Sequence, residues 1–107
     1  MTGVVEITDA LGGSVARVAV DRGFNCFSFQ VDGHELLDAV PGFESGEGRP
    51  SGHGIPILFP FPNRIRDGRF SWNHTSYHLP AGLAPDDGQG NAIHGFCLDR
   101  TWQVTDR

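Results

Sequence analysis

The sequence predicts an all-β fold, part of an antiparallel β-sandwich with little or no helix. Three observations carry this. Fifteen glycines and seven prolines are spread through 107 residues, which cuts the chain into short elements. Several runs alternate apolar and polar residues with a period of two, as with Phe27, Phe29 and Val31 against Cys26, Ser28 and Gln30. Asp-Gly pairs at 32–33 and 67–68 follow or precede such runs, and both residue types tolerate the positive φ of a tight hairpin. No stretch carries helix-capping signals, and no repeat is present.

Taken in order, VVEIT (4–8) is the first strand and SVARVAV (14–20) the second, with Ala16, Val18 and Val20 on one face. FNCFSFQV (24–31) is the third. After the Asp32-Gly33 turn, HELLDAV (34–40) is the returning strand, although ELLDAV alone also fits a helix. Residues 41–54, rich in Gly, Pro and Ser, read as a surface loop; their glycines lack phosphate-loop spacing. IPILF (55–59) reads as a buried strand ended by Pro60 and Pro62. RFSW and TSYHL form a second hairpin about Asn73-His74. Residues 80–90 are loop, and TWQVTDR (101–107) is the last strand.

The chain is one domain's length, expected to form a single domain over 1–107. Hydrophobic residues make up 38% and aromatics 10%, a globular composition. Eight basic residues, all arginine, stand against 13 acidic ones, for a net charge of -5. With no basic cluster, no nucleic-acid partner is expected. No apolar run approaches the ~20 residues of a membrane span, and the N-terminus lacks the pattern of a signal peptide. The expected location is cytoplasmic. Cys26 and Cys97 form no CxxC motif and read as reduced, small core residues.

Five histidines raise the question of a metal. His74 and His78 are four apart but sit about a hairpin, with no cysteine or acid nearby to complete a set. His34 and His53 read as solvated. No metal and no cofactor are expected. No G-x-S-x-G elbow supports a serine hydrolase.

Two places remain. Asn63-Arg64-Ile65 follows Pro60 and Pro62, which stiffen the backbone. Phe59, Phe61 and Phe70 can wall a pocket there. A guanidinium fork on such a mount suits an oxygen-rich small ligand. The other is NAIHGF (91–96), with Asn91 and His94. On residue chemistry alone, Arg64 can equally be a surface ion-pair partner and His94 a hydrogen-bonded loop residue.

GIPILFPFPNRI, GRFSWN, Tyr77-x-Leu79 and NAIHGF together resemble the aldose 1-epimerase (galactose mutarotase) family, from near residue 12 to Trp102. The resemblance implies a large β-sandwich that interconverts the α and β anomers of free sugars, without metal or organic cofactor. The family's motif arginine and histidine, both substrate-contacting, match Arg64 and His94. Asn63 and Asn91 belong to the same motifs. The family's general acid, a second histidine, and its general base, a late glutamate, lie in downstream segments beyond this sequence, which reads as an N-terminal portion of the fold.

Mutarotation removes the proton of the anomeric hydroxyl while the ring oxygen is protonated, so it needs two positioned groups. Arg64 holds its proton far above neutral pH and can only bind hydroxyls or stabilise charge on oxygen. The expected partner is therefore a small-molecule sugar. Other readings are a hexose-phosphate epimerase-like relative, a non-catalytic carbohydrate-binding module with Trp72 or Trp102 as stacking platform, and a truncated relic. An uncovered sheet edge is expected, to be met by a homo-oligomer or by the rest of the fold.

Overall fold

A computed structural model describes residues 3–106. The chain forms two compact units, one of residues up to 57 together with those from 98 onward, the other of residues 58–97. Among the described residues there is no α-helix, and no helix is long and apolar enough to cross a membrane.

The first unit is built on a four-stranded antiparallel sheet in sequence order: β1 (Val4–Thr8), β2 (Ser14–Ala19), β3 (Asn25–Val31) and β4 (His34–Glu35). The Asp32-Gly33 hairpin forms as expected, with φ of 50° and 82°. β2 departs from simple alternation. The register shifts between Arg17, opposite Ser28, and Val18, opposite Cys26. This bulge interrupts the period of two, and Val18, Ala19 and Val20 are buried in succession.

The predicted strand 34–40 stops after two residues. The Glu35 carboxylate replaces the ladder: it accepts the Ser28 hydroxyl, the Phe29 N–H (2.8 Å) and the Leu37 N–H (3.2 Å). These bonds, led by the Ser28 hydroxyl, hold the Glu35 carboxyl down to about 2 from an ordinary 4.5. A carboxyl whose pKa is lowered by folding adds stability above its unfolded pKa and loses it as the pH falls through the folded one. The melting temperature is therefore expected to drop between about pH 4.5 and pH 2, and Glu35→Gln should flatten that part of the profile. Parallel profiles for both proteins would remove Glu35 from this role.

Residues 41–54 are the expected surface loop, mostly exposed, but the loop is anchored to the core. Phe43 is fully buried and meets Ala19 and Phe27 at the core, with Val4, Ala39 and Val40 around them. It opens a 3-10 turn, Phe43–Ser45, between the left-handed glycines 42 and 46. Arg22 clamps this turn. Its Nη1 donates to the carbonyls of Phe43 (2.8 Å) and Glu47 (2.7 Å), its Nη2 to that of Gly48 (2.8 Å). The guanidinium lies 4.4 Å from the centre of the Phe43 ring, a cation–π contact. Buried Asn25 pins the loop's far end: Nδ2 donates to the carbonyls of Pro50 and His53, and Oδ1 accepts the Ile55 N–H. His53, expected to be solvated, is half-buried beside Phe43, and its Nδ1 accepts the Val40 N–H.

Residues 55–59 form no strand. Ile55 makes a single bridge to Cys26, and Ile55 and Phe59 are 54% and 64% exposed. Pro56 has no N–H to extend the ladder. Residues 101–106 also form no strand, and Arg107 lies outside the described residues. Trp102 instead donates its backbone N–H to the Val20 carbonyl and packs its ring on Phe24. Cys26 and Cys97 are free thiols, half-buried rather than core, and burial pushes the Cys26 thiol up.

The second unit contains β5 (Arg64–Ile65), β6 (Arg69–Trp72), β7 (Thr75–His78) and β8 (Ala92–Ile93). β5 pairs with β8, and β6 with β7, both antiparallel. The predicted second hairpin is present, its turn residues Asn73 and His74 at φ of 50° and 64°. Its strands are exposed throughout, and Phe70, Trp72 and Tyr77 are among the large apolar side chains left open to solvent.

Candidate functional site

The β5–β8 pair carries the motif residues. Arg64 stands opposite Ile93 and Ile65 opposite Ala92, so Asn63 and His94 follow at the same end of the pair. The strands are held together from outside by a turn. Asp86 accepts the N–H groups of Gly88 (2.6 Å) and Gly90 (3.2 Å) through Oδ1. Asp87 accepts those of Gln89 (2.8 Å) and Asn91 (3.2 Å) through its own Oδ1. Short carboxylate side chains capping backbone donors in this way are a common means of fixing a tight loop.

Asp87 Oδ2 points to the motif residues. It accepts Nε of Arg64 at 2.8 Å and Nδ2 of Asn91 at 3.0 Å. The Asp87 side chain is only 4% exposed, while that of Arg64 is 57% exposed. Asn91 Oδ1 in turn accepts the Asp67 N–H, and Asn63 Oδ1 accepts the backbone N–H of Arg64 (2.9 Å) and its Nη1 (3.4 Å). Bonds from Asn91, from the Gln89 N–H and from Arg64 hold the Asp87 carboxyl far below the usual carboxylate range. Asn63, Arg64 and Asn91 thus share one polar network. The ion-pair partner that the sequence left open for Arg64 is Asp87.

His94 is attached to the same strands by other bonds. Its backbone, at a left-handed φ of 68°, donates to the Asn63 carbonyl. Its ring Nδ1 lies 2.9 Å from the Pro62 carbonyl oxygen. A carbonyl only accepts, so Nδ1 carries a proton there and donates it. That fixes the tautomer of a neutral ring and leaves Nε2 to accept a hydrogen bond.

The three phenylalanines expected to wall a pocket, Phe59, Phe61 and Phe70, have different neighbours. Phe61 packs edge-on against Phe96 at 5.5 Å. Phe70 stacks on Tyr77 across the hairpin at 5.1 Å; the two also line a shallow cleft with Arg69, Ser71, Ser76 and His78. Phe59 is mostly exposed, and its contribution is its backbone: its carbonyl accepts the Phe96 N–H at 2.7 Å. A second cleft of about 330 Å³ lies between residues 67–68 and 78–92. Arg64 and His94 line neither cleft. His74 and His78 are exposed, and among the described residues no group of three His, Cys, Asp or Glu could hold a metal ion.

The family model for aldose 1-epimerase matches residues 5–107. The chain belongs to the aldose 1-epimerase family. Two solved structures share its fold. One is a galactose mutarotase-like protein of Clostridium acetobutylicum, 28% identical, with a TM-score of 0.72 over 98% of this chain. The other is an aldose 1-epimerase-like protein of Escherichia coli K12, 25% identical, with a TM-score of 0.76 over the whole chain. An uncharacterized Escherichia coli protein, YihR, is 33% identical over 60 residues, 56% of this chain and 18% of its own length. The chain spans 34% and 33% of the two solved neighbours, about a third of an epimerase-family fold.

Asp87 is the residue that sequence reasoning missed. Its signal was present: an Asp-Asp-Gly run directly before the Asn91 motif, with a carboxylate free to reach beyond its own turn.

Proposed function

We propose that residues 63–94 form part of the sugar-contacting surface of an aldose 1-epimerase acting on a free aldose. The observation that carries this is the family match combined with the Asp87-centred network, which holds the Arg64 guanidinium among polar partners on the strand pair that also carries His94. In this reading Arg64 holds sugar hydroxyls and stabilises charge developing on oxygen. Nε2 of His94 accepts a hydroxyl proton or returns one. Asn63 and Asn91 are spent largely on the backbone and on Asp87, so they shape the site more than they touch the ligand.

Anomer exchange needs a base at the anomeric hydroxyl and an acid at the ring oxygen. Residues 58–97 contain no glutamate, and Asp87 is occupied by four donors. His94 can serve one of the two positions. The 107 residues are therefore expected to bind sugar and to accelerate mutarotation weakly or not at all.

Titration of ¹⁵N-labelled protein with D-galactose and D-glucose, alongside polarimetry of α-D-galactose, tests this. Arg64→Ala should weaken binding by about 1.5–3 kcal/mol, the scale of a hydrogen bond to a charged group. Arg64→Lys should also weaken it, because an ammonium has no planar fork. Sugar affinity unchanged in both variants would remove Arg64 from the site.

A further inference from the structure

We infer that Asp87 is a positioning residue that selects which edge of the Arg64 guanidinium meets the ligand, and that the ligand group read there is a pair of neighbouring oxygens, as in a vicinal diol. The inference rests on the sugar-binding reading of Arg64 and deepens it.

A guanidinium has five N–H donors on two usable edges. One edge is formed by Nε and one terminal nitrogen, the other by the two terminal nitrogens. Here Nε–H is committed to Asp87 Oδ2 at 2.8 Å. One Nη1 hydrogen reaches Asn63 Oδ1 at a longer 3.4 Å. Nη2 keeps one hydrogen on the terminal edge and one on the Nε edge beside Asp87, and Nη1 keeps a second hydrogen, so both terminal nitrogens still have a donor to offer. Donors on the two terminal nitrogens match a pair of neighbouring oxygen acceptors. With its side chain 57% exposed, Arg64 can be reached by a ligand from solvent.

Asp87 can aim Arg64 because it cannot move. Its two oxygens take four hydrogen bonds, from Gln89 N, Asn91 N, Asn91 Nδ2 and Arg64 Nε, and its side chain is almost entirely buried. Three of those donors belong to its own turn, so the carboxylate stays fixed whether or not Arg64 engages it. Saturation also removes Asp87 from acid–base chemistry. It carries no lone pair to spare for a substrate proton, and so acts through Arg64.

Two measurements test this together. The first needs no sugar: the Arg64 Nε–H resonance, assigned by its loss in Arg64→Lys, should exchange slowly in the wild type and quickly in Asp87→Asn. Equal exchange would overturn the positioning role directly. The second is a double-mutant cycle on D-galactose affinity. Asp87→Asn, nearly isosteric and able to keep the turn bonds of Oδ1, should weaken binding about tenfold. In an Arg64→Ala background it should cost less than twofold further, because its target is gone. Asp87→Asn costs that simply add to those of Arg64→Ala would show that Asp87 acts through the loop alone, and overturn the inference. A 2-, 3- or 4-deoxy sugar that loses no affinity for the wild type, at every position, would overturn the paired-oxygen assignment. Failure of the parent reading looks different: Arg64→Ala would then leave sugar affinity unchanged while the Nε–H exchange result stood.

Discussion

Replacing Gly95 with alanine is expected to unfold the 58–97 unit or destabilise it by about 3 kcal/mol or more. Gly95 is buried at a left-handed φ of 74°. A Cβ placed there would strike the Phe59 backbone: its carbonyl oxygen and carbon directly, and its nitrogen at 3.0 Å. Backbone cannot swing aside as a flexible side chain can. The left-handed conformation adds a further cost, about 1–2 kcal/mol for a residue with a Cβ. The contact also bears on the site, since Gly95 links His94 to Phe96, whose N–H is bonded to Phe59. Loss of dispersed amide resonances from residues 58–97 in Gly95→Ala, with those of the sheet β1–β4 retained, is the expected spectrum. A variant within about 1 kcal/mol of wild type on chemical denaturation would contradict the packing described here.

The other large effect is expected from Phe43→Ala, which should cost about 3–5 kcal/mol, the usual range for emptying a fully buried phenylalanine site. Total stability of a small domain is about 5–15 kcal/mol, so this is a large share of it. Phe43 has no exposed surface and joins Ala19 and Phe27 in the core. It also supplies the ring beneath the Arg22 guanidinium and the carbonyl that Arg22 Nη1 holds. Truncation leaves both a cavity and a less constrained clamp. Phe59→Ala is the matched control: its side chain is 64% exposed, and it should change stability by under about 1 kcal/mol. Equal costs for the two substitutions, measured by urea denaturation, would place the core elsewhere.

The two phenylalanines show where sequence stops being informative. The alternating runs of β1–β3 and the Asp32-Gly33 and Asn73-His74 turns were legible because their causes are local. A period of two exposes one face per strand, and positive φ selects Asp, Asn and Gly. Those signals sufficed for the all-β class and for both hairpins. The motif residues Asn63, Arg64, Asn91 and His94 were legible as a set only through the family pattern, since their types alone fit an ion pair or a loop equally well.

What remained was decided by contacts between distant residues. Phe43 and Phe59 lie in similarly Gly/Pro-rich surroundings, yet one is core and the other solvent-facing, because Arg22 and Asn25 bind the 41–55 segment from 21 or more residues away. Residues 34–40 and 55–59 had strand composition, but Glu35 took the ladder's N–H groups with its side chain and Pro56 had none to give. Arg64's partner sits 23 residues on, and no periodicity reaches across the hairpin that lies between them. Sequence determined the period, the turns and the family. Tertiary structure decided which apolar residues are buried, where each strand ends, and which carboxylate Arg64 meets, because each of these depends on groups meeting across the fold.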